Sequence, residues 1–160
     1  MGKKIHSRVC LKASLCFKIL VIFWHRFPAV LVMNSENDTK HKIMVMDDDR
    51  DILDAIKMVL EYNDYNVEIC SDDKRIDYSN LPDLFLLDVW MSGLNGSDVC
   101  LRLKKDELTK HIPVIIFSAN RNIQEISKQC NADGYIAKPF NLNQLLAIIS
   151  NHINNKSGRN

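Results

Sequence analysis

Short apolar runs recur between residues 41 and 154, and polar or turn-forming residues separate them. Apolar runs of this length between turn signals are typical of strands that are buried on both faces of a parallel sheet. Four apolar runs are therefore predicted as strands: residues 43–46, 84–87, 114–117 and 135–137. Residues 66–70, which are more polar, are predicted as a fifth strand.

The stretches between these strands carry apolar residues at the three- and four-residue spacing of amphipathic helices. Helices are predicted over residues 51–61, 97–105, 123–130 and 142–153, with Asp51, Ser97 and Asn141 as capping residues. Residues 71–81 are polar, so any helix there is expected to be short or irregular. The alternation of strands and helices predicts right-handed crossovers and an α/β fold with a doubly wound, five-stranded parallel sheet.

Polar side chains stand directly after four of the predicted strands. Asp47 and Asp48 follow the first strand, Asp88 the third, Ser118 the fourth and Lys138 the fifth. In an open parallel sheet, the groups just past the carboxyl ends of the strands converge on one crevice, where ligands bind. Three carboxylates, a hydroxyl and an ammonium in one crevice indicate a site for a divalent cation and a phosphoryl group.

The charge of the 160-residue chain is unevenly distributed, although its composition is that of an ordinary soluble protein. Residues 1–33 hold six basic residues and no acidic one, which leaves 15 basic against 20 acidic residues, a net charge of −5, in the remainder. An acidic body without a basic stripe argues against nucleic acid as a partner. The five cysteines are scattered and lack metal-ligand spacing, which favours a reduced, cytoplasmic protein.

Residues 1–40 do not continue the strand–helix pattern. Their longest uninterrupted apolar stretch, residues 19–24, is far shorter than the roughly 20 residues that span a bilayer. A basic start before an apolar patch resembles a signal peptide, but no small-residue cleavage site follows. We expect an extension that is disordered or that reflects a mis-assigned start, with Met33 as the true initiator, and no membrane contact. A membrane-associating segment is the alternative.

Four motifs resemble the receiver domain of bacterial response regulators. Residues 46–52, 87–96, 117–119 and 138–140 read MDDDRDI, LDVWMSGLNG, FSA and KPF, in the family's order and at its separations. The resemblance covers about residues 41–154, with residues 155–160 as a polar tail. It implies a flavodoxin-like sheet with strand order 2-1-3-4-5, of the kind found in stand-alone CheY-like receivers.

Asp88 is the candidate nucleophile and phosphoacceptor, because forming an acyl phosphate requires a carboxylate at the centre of the site. Three clustered carboxylates repel one another until a cation arrives, and Mg²⁺ favours carboxylates together with phosphate oxygens and water. The resemblance implies that Asp48, Asp88 and the backbone carbonyl of Trp90 hold Mg²⁺, with Asp47 acting directly or through water. The alternatives are a turn aspartate at 88 and a solvated charge run at 47–51.

Lys138 supplies a compact positive charge that can pair with Asp88 and later with a phosphoryl oxygen. The resemblance implies a cis peptide bond before Pro139, which turns Lys138 inward. It also implies that Ser118 bonds the bound phosphoryl group and that Tyr135 moves from an exposed to a buried position. A surface role for Lys138 and a core role for Tyr135 are the alternatives.

Two departures from the family pattern change these expectations. Trp90, two residues after the nucleophile, and Asn120, two after Ser118, are expected to restrict the hydrolytic water and slow self-dephosphorylation. Residues 71–81 are about one turn shorter than the family usually has there, which puts the second helix in doubt.

The predicted function is that of a stand-alone response regulator in a two-component system. It takes a phosphoryl group onto Asp88 from a sensor histidine kinase or a histidine phosphotransfer protein, and then contacts an unknown downstream protein or passes the group along a relay. It is not expected to turn over a free substrate. Only 22 residues follow Lys138, so no output domain is expected after it. The alternatives are a phosphorylation-independent interaction module and, last, a Mg²⁺-dependent phosphatase.

Overall fold

The structure is a computed structural model that describes residues 40–70 and 76–157, with the backbone alone over 155–157. The predictions made for residues 1–39, including the start at Met33, and for residues 158–160 lie outside the described residues. Among the described helices, none is both long and apolar enough to cross a bilayer.

Strands and helices alternate along the described chain, as the apolar pattern predicted. The strands are β1 (Lys42–Met46), β2 (Asn66–Ile69), β3 (Leu84–Asp88), β4 (Trp90–Met91), β5 (Leu94–Asn95), β6 (Val114–Ser118) and β7 (Gly134–Ala137). The helices are α1 (Arg50–Tyr62), α2 (Gly96–Lys105), α3 (Ile123–Gln129) and α4 (Leu142–Ser157). Residues 76–83 contain no helix, which agrees with the expectation of an irregular segment before β3.

Five of the strands form one parallel sheet with the order β2-β1-β3-β6-β7. This is the predicted order 2-1-3-4-5, because the two-residue strands β4 and β5 pair only with each other as an antiparallel hairpin. The register places Asp88 beside Phe117, and Ser118 beside Ala137. The strand ends that carry the predicted polar residues therefore align along one edge of the sheet.

The sheet is covered by helices on both faces, which makes the fold doubly wound. Alternate residues of the central strands point to opposite faces, as the two-residue period of a strand requires. On one face α1 and α4 pack through Leu53, Ile56, Leu60, Leu145, Ile149 and Ile153. On the other face α2 and α3 pack through Val99, Cys100, Leu103 and Ile123. Because β3 is buried along its whole length, it holds Asp88 on a rigid support.

Two helix caps differ from the predictions, and both lie two residues earlier in the chain. The side chain of Asp49, not Asp51, caps α1 and accepts the N–H of Asp51 at 2.9 Å. The side chain of Asn95, not Ser97, caps α2 and accepts the N–H of Ser97 at 3.0 Å. Each predicted cap was a residue of the first turn whose own amide needs an acceptor.

The cap predicted for the last helix is confirmed. Asn141 Oδ1 accepts the N–H of Gln144 at 2.9 Å, and Gln144 Oε1 accepts the N–H of Asn141 at 3.1 Å. This reciprocal pair is a capping box, which satisfies two backbone donors at the start of α4. Leu142 is the first of the regularly spaced apolar residues in the helix predicted over residues 142–153, but it is 49% exposed.

Candidate functional site

The carboxylates of Asp47, Asp48 and Asp88 form one cluster at the carboxyl edge of the sheet. One oxygen from each lies within 4.8 Å of the others. Asp47 and Asp88 are buried at the ends of β1 and β3, whereas Asp48 is exposed. Asp88 is thus neither an isolated turn residue nor remote from the acidic run at residues 47–51.

Lys138 bridges the two buried carboxylates. Its Nζ lies 3.1 Å from Asp47 Oδ2 and 3.0 Å from Asp88 Oδ1, and it also lies 4.5 Å from the centroid of the Phe117 ring. The peptide bond between Lys138 and Pro139 is cis, as the resemblance implied. The backbone N–H of Lys138 donates to Ser118 O at 2.8 Å, so the lysine is anchored to the neighbouring strand as well. This lysine is not an ordinary surface residue.

Backbone amides hold the remaining oxygens of the buried pair. Asp88 Oδ2 accepts the N–H of Trp90 at 3.1 Å, and Asp47 Oδ1 accepts the N–H of Asp49 at 2.8 Å. Burial nevertheless raises the pKa of Asp88, because desolvation outweighs the hydrogen bond and the charge of Lys138. One ammonium thus faces two buried carboxyl groups, and burial disfavours the ionised form of Asp88.

The exposed carboxylate is held from a different direction. Asp48 Oδ2 accepts two hydrogen bonds from Ser92, one from the backbone N–H at 2.8 Å and one from Oγ at 2.7 Å. These bonds lower the pKa of Asp48. Ser92 was not predicted as a site residue, because 44 residues separate it from Asp48 and no local pattern relates them.

The three carboxylates suit a small divalent cation. Among the described residues, the ammonium of Lys138 is the one cationic group in contact with these carboxylates. It therefore balances one of three negative charges. Oxygen ligands from a few carboxylates are the set that Mg²⁺ or Ca²⁺ takes, and Mg²⁺ is the ion that keeps waters and binds phosphate oxygens. The cluster can therefore hold such a cation, while Lys138 contacts two of the three carboxylates.

Ser118 lies farther along the same edge, whereas Tyr135 lies within β7, beside Ile116 and two residues before the strand ends. Ser118 is buried at the end of β6, and its Oγ accepts the N–H of Asn120 at 3.2 Å. Tyr135 lies in β7 and is 40% exposed, so it is not a core side chain in this structure. Their predicted parts in a switch stay predictions.

Trp90 stands at the start of the β4–β5 hairpin and is 62% exposed. Its backbone is brought to Asp88 through the amide, and the predicted role of its carbonyl as a metal ligand stays a prediction. It also lines a cavity of about 260 Å³ together with Leu101 and Ile126, between α2 and α3. Asn120, the other residue predicted to restrict water, has its side-chain oxygen bonded to the N–H of Asn122 at 2.8 Å.

Known proteins similar to this chain include a response regulator and a transcriptional regulator. Response regulator MprA of Mycolicibacterium vanbaalenii is 34% identical over 113 residues, which are 66% of this chain and 47% of that protein. The DNA-binding dual master transcriptional regulator RpaA of Synechocystis is 34% identical over 111 residues, which are 66% of this chain and 46% of that protein. The chain thus spans about half the length of the curated relatives it matches.

Two solved structures match this chain over almost their whole length. A CheY-like response regulator receiver domain protein from Methanospirillum hungatei superposes with a TM-score of 0.67 at 27% identity, covering 76% of this chain and 99% of that one. A response regulator described as putative, from Chloroflexus aurantiacus, gives a TM-score of 0.67 at 26% identity, covering 71% and 98%. The model of the family described as "Response regulator receiver domain" matches residues 43–150 of this chain. This chain therefore belongs to the response regulator receiver domain family.

Proposed function

We propose that this receiver accepts a phosphoryl group on Asp88 from the phosphohistidine of a sensor histidine kinase or a histidine phosphotransfer protein. An oxygen of Asp88 attacks phosphorus, the phosphorus–nitrogen bond breaks, and the imidazole leaves with the electron pair and takes up a proton. The observation that supports this most directly is the Lys138 bridge, because its ammonium touches Asp88 Oδ1 and Asp47 Oδ2 at once. An ammonium at this position balances the buried carboxylates and can also stabilise negative charge on a phosphoryl group transferred to Asp88.

Each residue of the site has a distinct part in this proposal. Lys138 Nζ lies 3.0 Å from Asp88 Oδ1. Once Asp88 is phosphorylated and its carboxylate has lost its charge, the ammonium can pair with a phosphoryl oxygen instead. Asp47, Asp48, Asp88 and the carbonyl of Trp90 are the proposed ligands of Mg²⁺, which supplies charge neutralisation for the transferring group when bound. The buried end of β3 limits the access of water to Asp88.

The signal is proposed to leave the site through Ser118 and Tyr135. A phosphoryl group on Asp88 offers new acceptor oxygens beside β6, and the hydroxyl of Ser118 is a rotatable donor at the end of that strand. Moving Ser118 toward the phosphoryl group would draw the following loop inward. Tyr135 lies on the adjacent strand and is half-exposed, so it has room to change position.

The proposed partners are a phosphohistidine protein and a downstream protein target in the cytoplasm, with protein contact or phosphorelay as the output. The net charge of −5 beyond residue 33 supports protein rather than nucleic acid as the direct partner of this domain. The site has no proposed free substrate, since the phosphoryl group is both received and lost at Asp88.

Phosphorylation of the full-length chain tests the proposal. The protein is incubated with Mg²⁺ and acetyl phosphate, and its intact mass is followed with time. Asp88→Asn is the test variant, and Asp98→Asn, which changes an exposed carboxylate in the first turn of α2, is the matched control. A phosphate-sized mass gain in the wild type and the control, absent from Asp88→Asn, is the expected result.

Two other outcomes would contradict the proposed function. If no mass gain occurs in any of the three proteins, the domain is a phosphorylation-independent interaction module instead. If a generic phosphate ester is turned over and the turnover needs Asp88, the domain is a phosphatase.

A further inference from the structure

Asp48 is held differently from the other two carboxylates of the site. Asp47 and Asp88 are buried, share the ammonium of Lys138 and accept backbone amides from residues at most two positions away. Asp48 is exposed, and the side chain that fixes it is Ser92, from the β4–β5 turn. An exposed carboxylate without such a bond would sample several rotamers.

The two bonds from Ser92 select one orientation of this carboxylate. Both end on Asp48 Oδ2, at 2.8 Å from the backbone N–H and 2.7 Å from Oγ. Ser92 therefore leaves Oδ1 for another ligand. Hydrogen bonds to a charged acceptor are short and strong, and these two lengths are in that range.

The same bonds fasten the β4–β5 hairpin to the end of β1. Ser92 lies two residues after Trp90 and directly before Gly93, whose φ of +80° turns the chain back toward α2. The hairpin is thus attached at both sides of the acidic cluster: the amide of Trp90 bonds Asp88, and Ser92 bonds Asp48.

We infer that Ser92 is a positioning residue that pre-orients Asp48 for a divalent cation and couples cation binding to the β4–β5 hairpin. This inference rests on the proposed function, since it assumes that the three carboxylates bind Mg²⁺. Both hydrogen bonds of Ser92 end on Asp48 and not on Asp88, so Ser92 acts through Asp48. Its contribution is to remove, before the cation arrives, the rotamer freedom that Asp48 would otherwise lose on binding.

Magnesium titration of the full-length chain tests the inference. Every variant carries Trp24→Phe, so that the fluorescence of Trp90, two residues from Ser92, reports the titration. Ser92→Ala removes the hydroxyl and keeps the backbone amide, and it is expected to raise the Mg²⁺ dissociation constant about fivefold. Ser92→Thr restores a hydroxyl and is expected to return the constant to within about twofold of the wild-type value. Calorimetric titration replaces fluorescence if Trp90 gives no signal.

The matched control is Ser79→Ala. Ser79 donates its N–H at 2.9 Å and its Oγ at 2.6 Å to Asp77 Oδ1, so it makes the same pair of bonds outside the acidic cluster. Its variant is expected to bind Mg²⁺ with the wild-type constant.

The outcomes separate this inference from the function on which it rests. If the wild type binds Mg²⁺ and Ser92→Ala binds it equally well or more tightly, Ser92 does not pre-orient Asp48 and the inference is wrong. An equal loss in Ser79→Ala would also overturn it, since the effect would then be general. If the wild type itself shows no Mg²⁺ binding, the proposed metal site fails first.

Discussion

Gly96 packs so closely against Asp88 that a Cβ atom on the glycine would lie 1.9 Å from the backbone carbonyl oxygen of the aspartate. The N–H of Gly96, the first residue of α2, donates to Val89 O at 3.0 Å. The helix therefore begins directly against the end of β3 that carries the candidate phosphoacceptor. No side chain larger than hydrogen fits there unless the backbone of β3 or α2 moves.

Gly96→Ala is expected to lower the free energy of unfolding by about 1–3 kcal/mol, the usual cost of an added methyl group in a tightly packed position. It is also expected to slow phosphorylation, because relief of the clash shifts the backbone of Asp88. Urea denaturation and intact mass measure the two effects. The control is Gly93→Ala, where nothing lies within 4 Å but φ is +80°, so the cost is backbone strain without contact with Asp88. Equal phosphorylation by Gly96→Ala and wild type would contradict the argument.

Replacement of Asp88 by Asn is expected to stabilise the protein at neutral pH. Burial raises the pKa of Asp88, so the folded state binds its proton more tightly than the unfolded chain does. Stability from this group is therefore full below the unfolded pKa and falls as the pH rises through the folded pKa. Asn carries no charge to desolvate, and Lys138 keeps its bond to Asp47 at 3.1 Å.

The measurement is the free energy of unfolding of both proteins from acidic to neutral pH. The gain from Asp88→Asn should be present at pH 7 and should shrink as the pH falls below the raised pKa. Asp98→Asn, at an exposed position, should show no such pH-dependent gain. A variant that is less stable than the wild type at pH 7 would show that the Lys138 bond outweighs desolvation.

The sheet and its polar edge were predictable because both depend on local, periodic signals. A buried parallel strand needs a continuous apolar run, and the residue that follows the run must lie at the carboxyl edge. Asp88 and Lys138 meet for this reason, although 50 residues separate them in the sequence. The strand order came from the resemblance, since periodicity alone does not determine which strands are neighbours.

The caps of α1 and α2 and the Ser92 contact were not predictable in the same way. Several residues near each helix start are good caps, and the choice between Asp49 and Asp51 depends on where the backbone turns after β1. The bonds from Ser92 to Asp48 depend on how the β4–β5 hairpin, residues 90–95, folds back across the sheet edge. A polar residue shortly after a candidate nucleophile was the available signal, but it named no partner.

Lys138→Ala is expected to destabilise the protein and to make its stability depend on Mg²⁺. Removal of the ammonium leaves Asp47 and Asp88 buried without their counter-ion, a change that typically costs about 3 kcal/mol or more. A divalent cation can replace part of the lost charge, so added Mg²⁺ should stabilise the variant more than the wild type. Thermal unfolding with and without Mg²⁺ measures both effects.

Lys104→Ala is the matched control for Lys138→Ala. Lys104 is similarly part-buried, and its Nζ lies 2.9 Å from Asp133 Oδ2 and 3.2 Å from Ile112 O. Its removal should also lower stability, but Mg²⁺ should not restore it, because Asp133 is not part of the acidic cluster. Equal rescue of both variants would mean that Mg²⁺ acts on the protein generally.

Trp90→Asn is expected to shorten the lifetime of the phosphorylated protein. The backbone N–H of Trp90 is bonded to Asp88 at 3.1 Å and the residue is 62% exposed, so replacing the indole by a smaller polar side chain is expected to open a path for water next to the phosphoryl group. Asn120, the other residue predicted to restrict water, is unchanged in this variant and has its side chain bonded to Asn122. We expect the phosphorylated protein to decay on the order of tenfold faster, equivalent to about 1.4 kcal/mol in the barrier. Intact mass, followed after the phosphoryl donor is removed, measures the decay.

Leu108→Asn, at an apolar residue that is 57% exposed in the turn after α2, is the control and should leave the lifetime unchanged. An unchanged lifetime in Trp90→Asn would refute the shielding role, and access of water would then be controlled by the backbone of the hairpin.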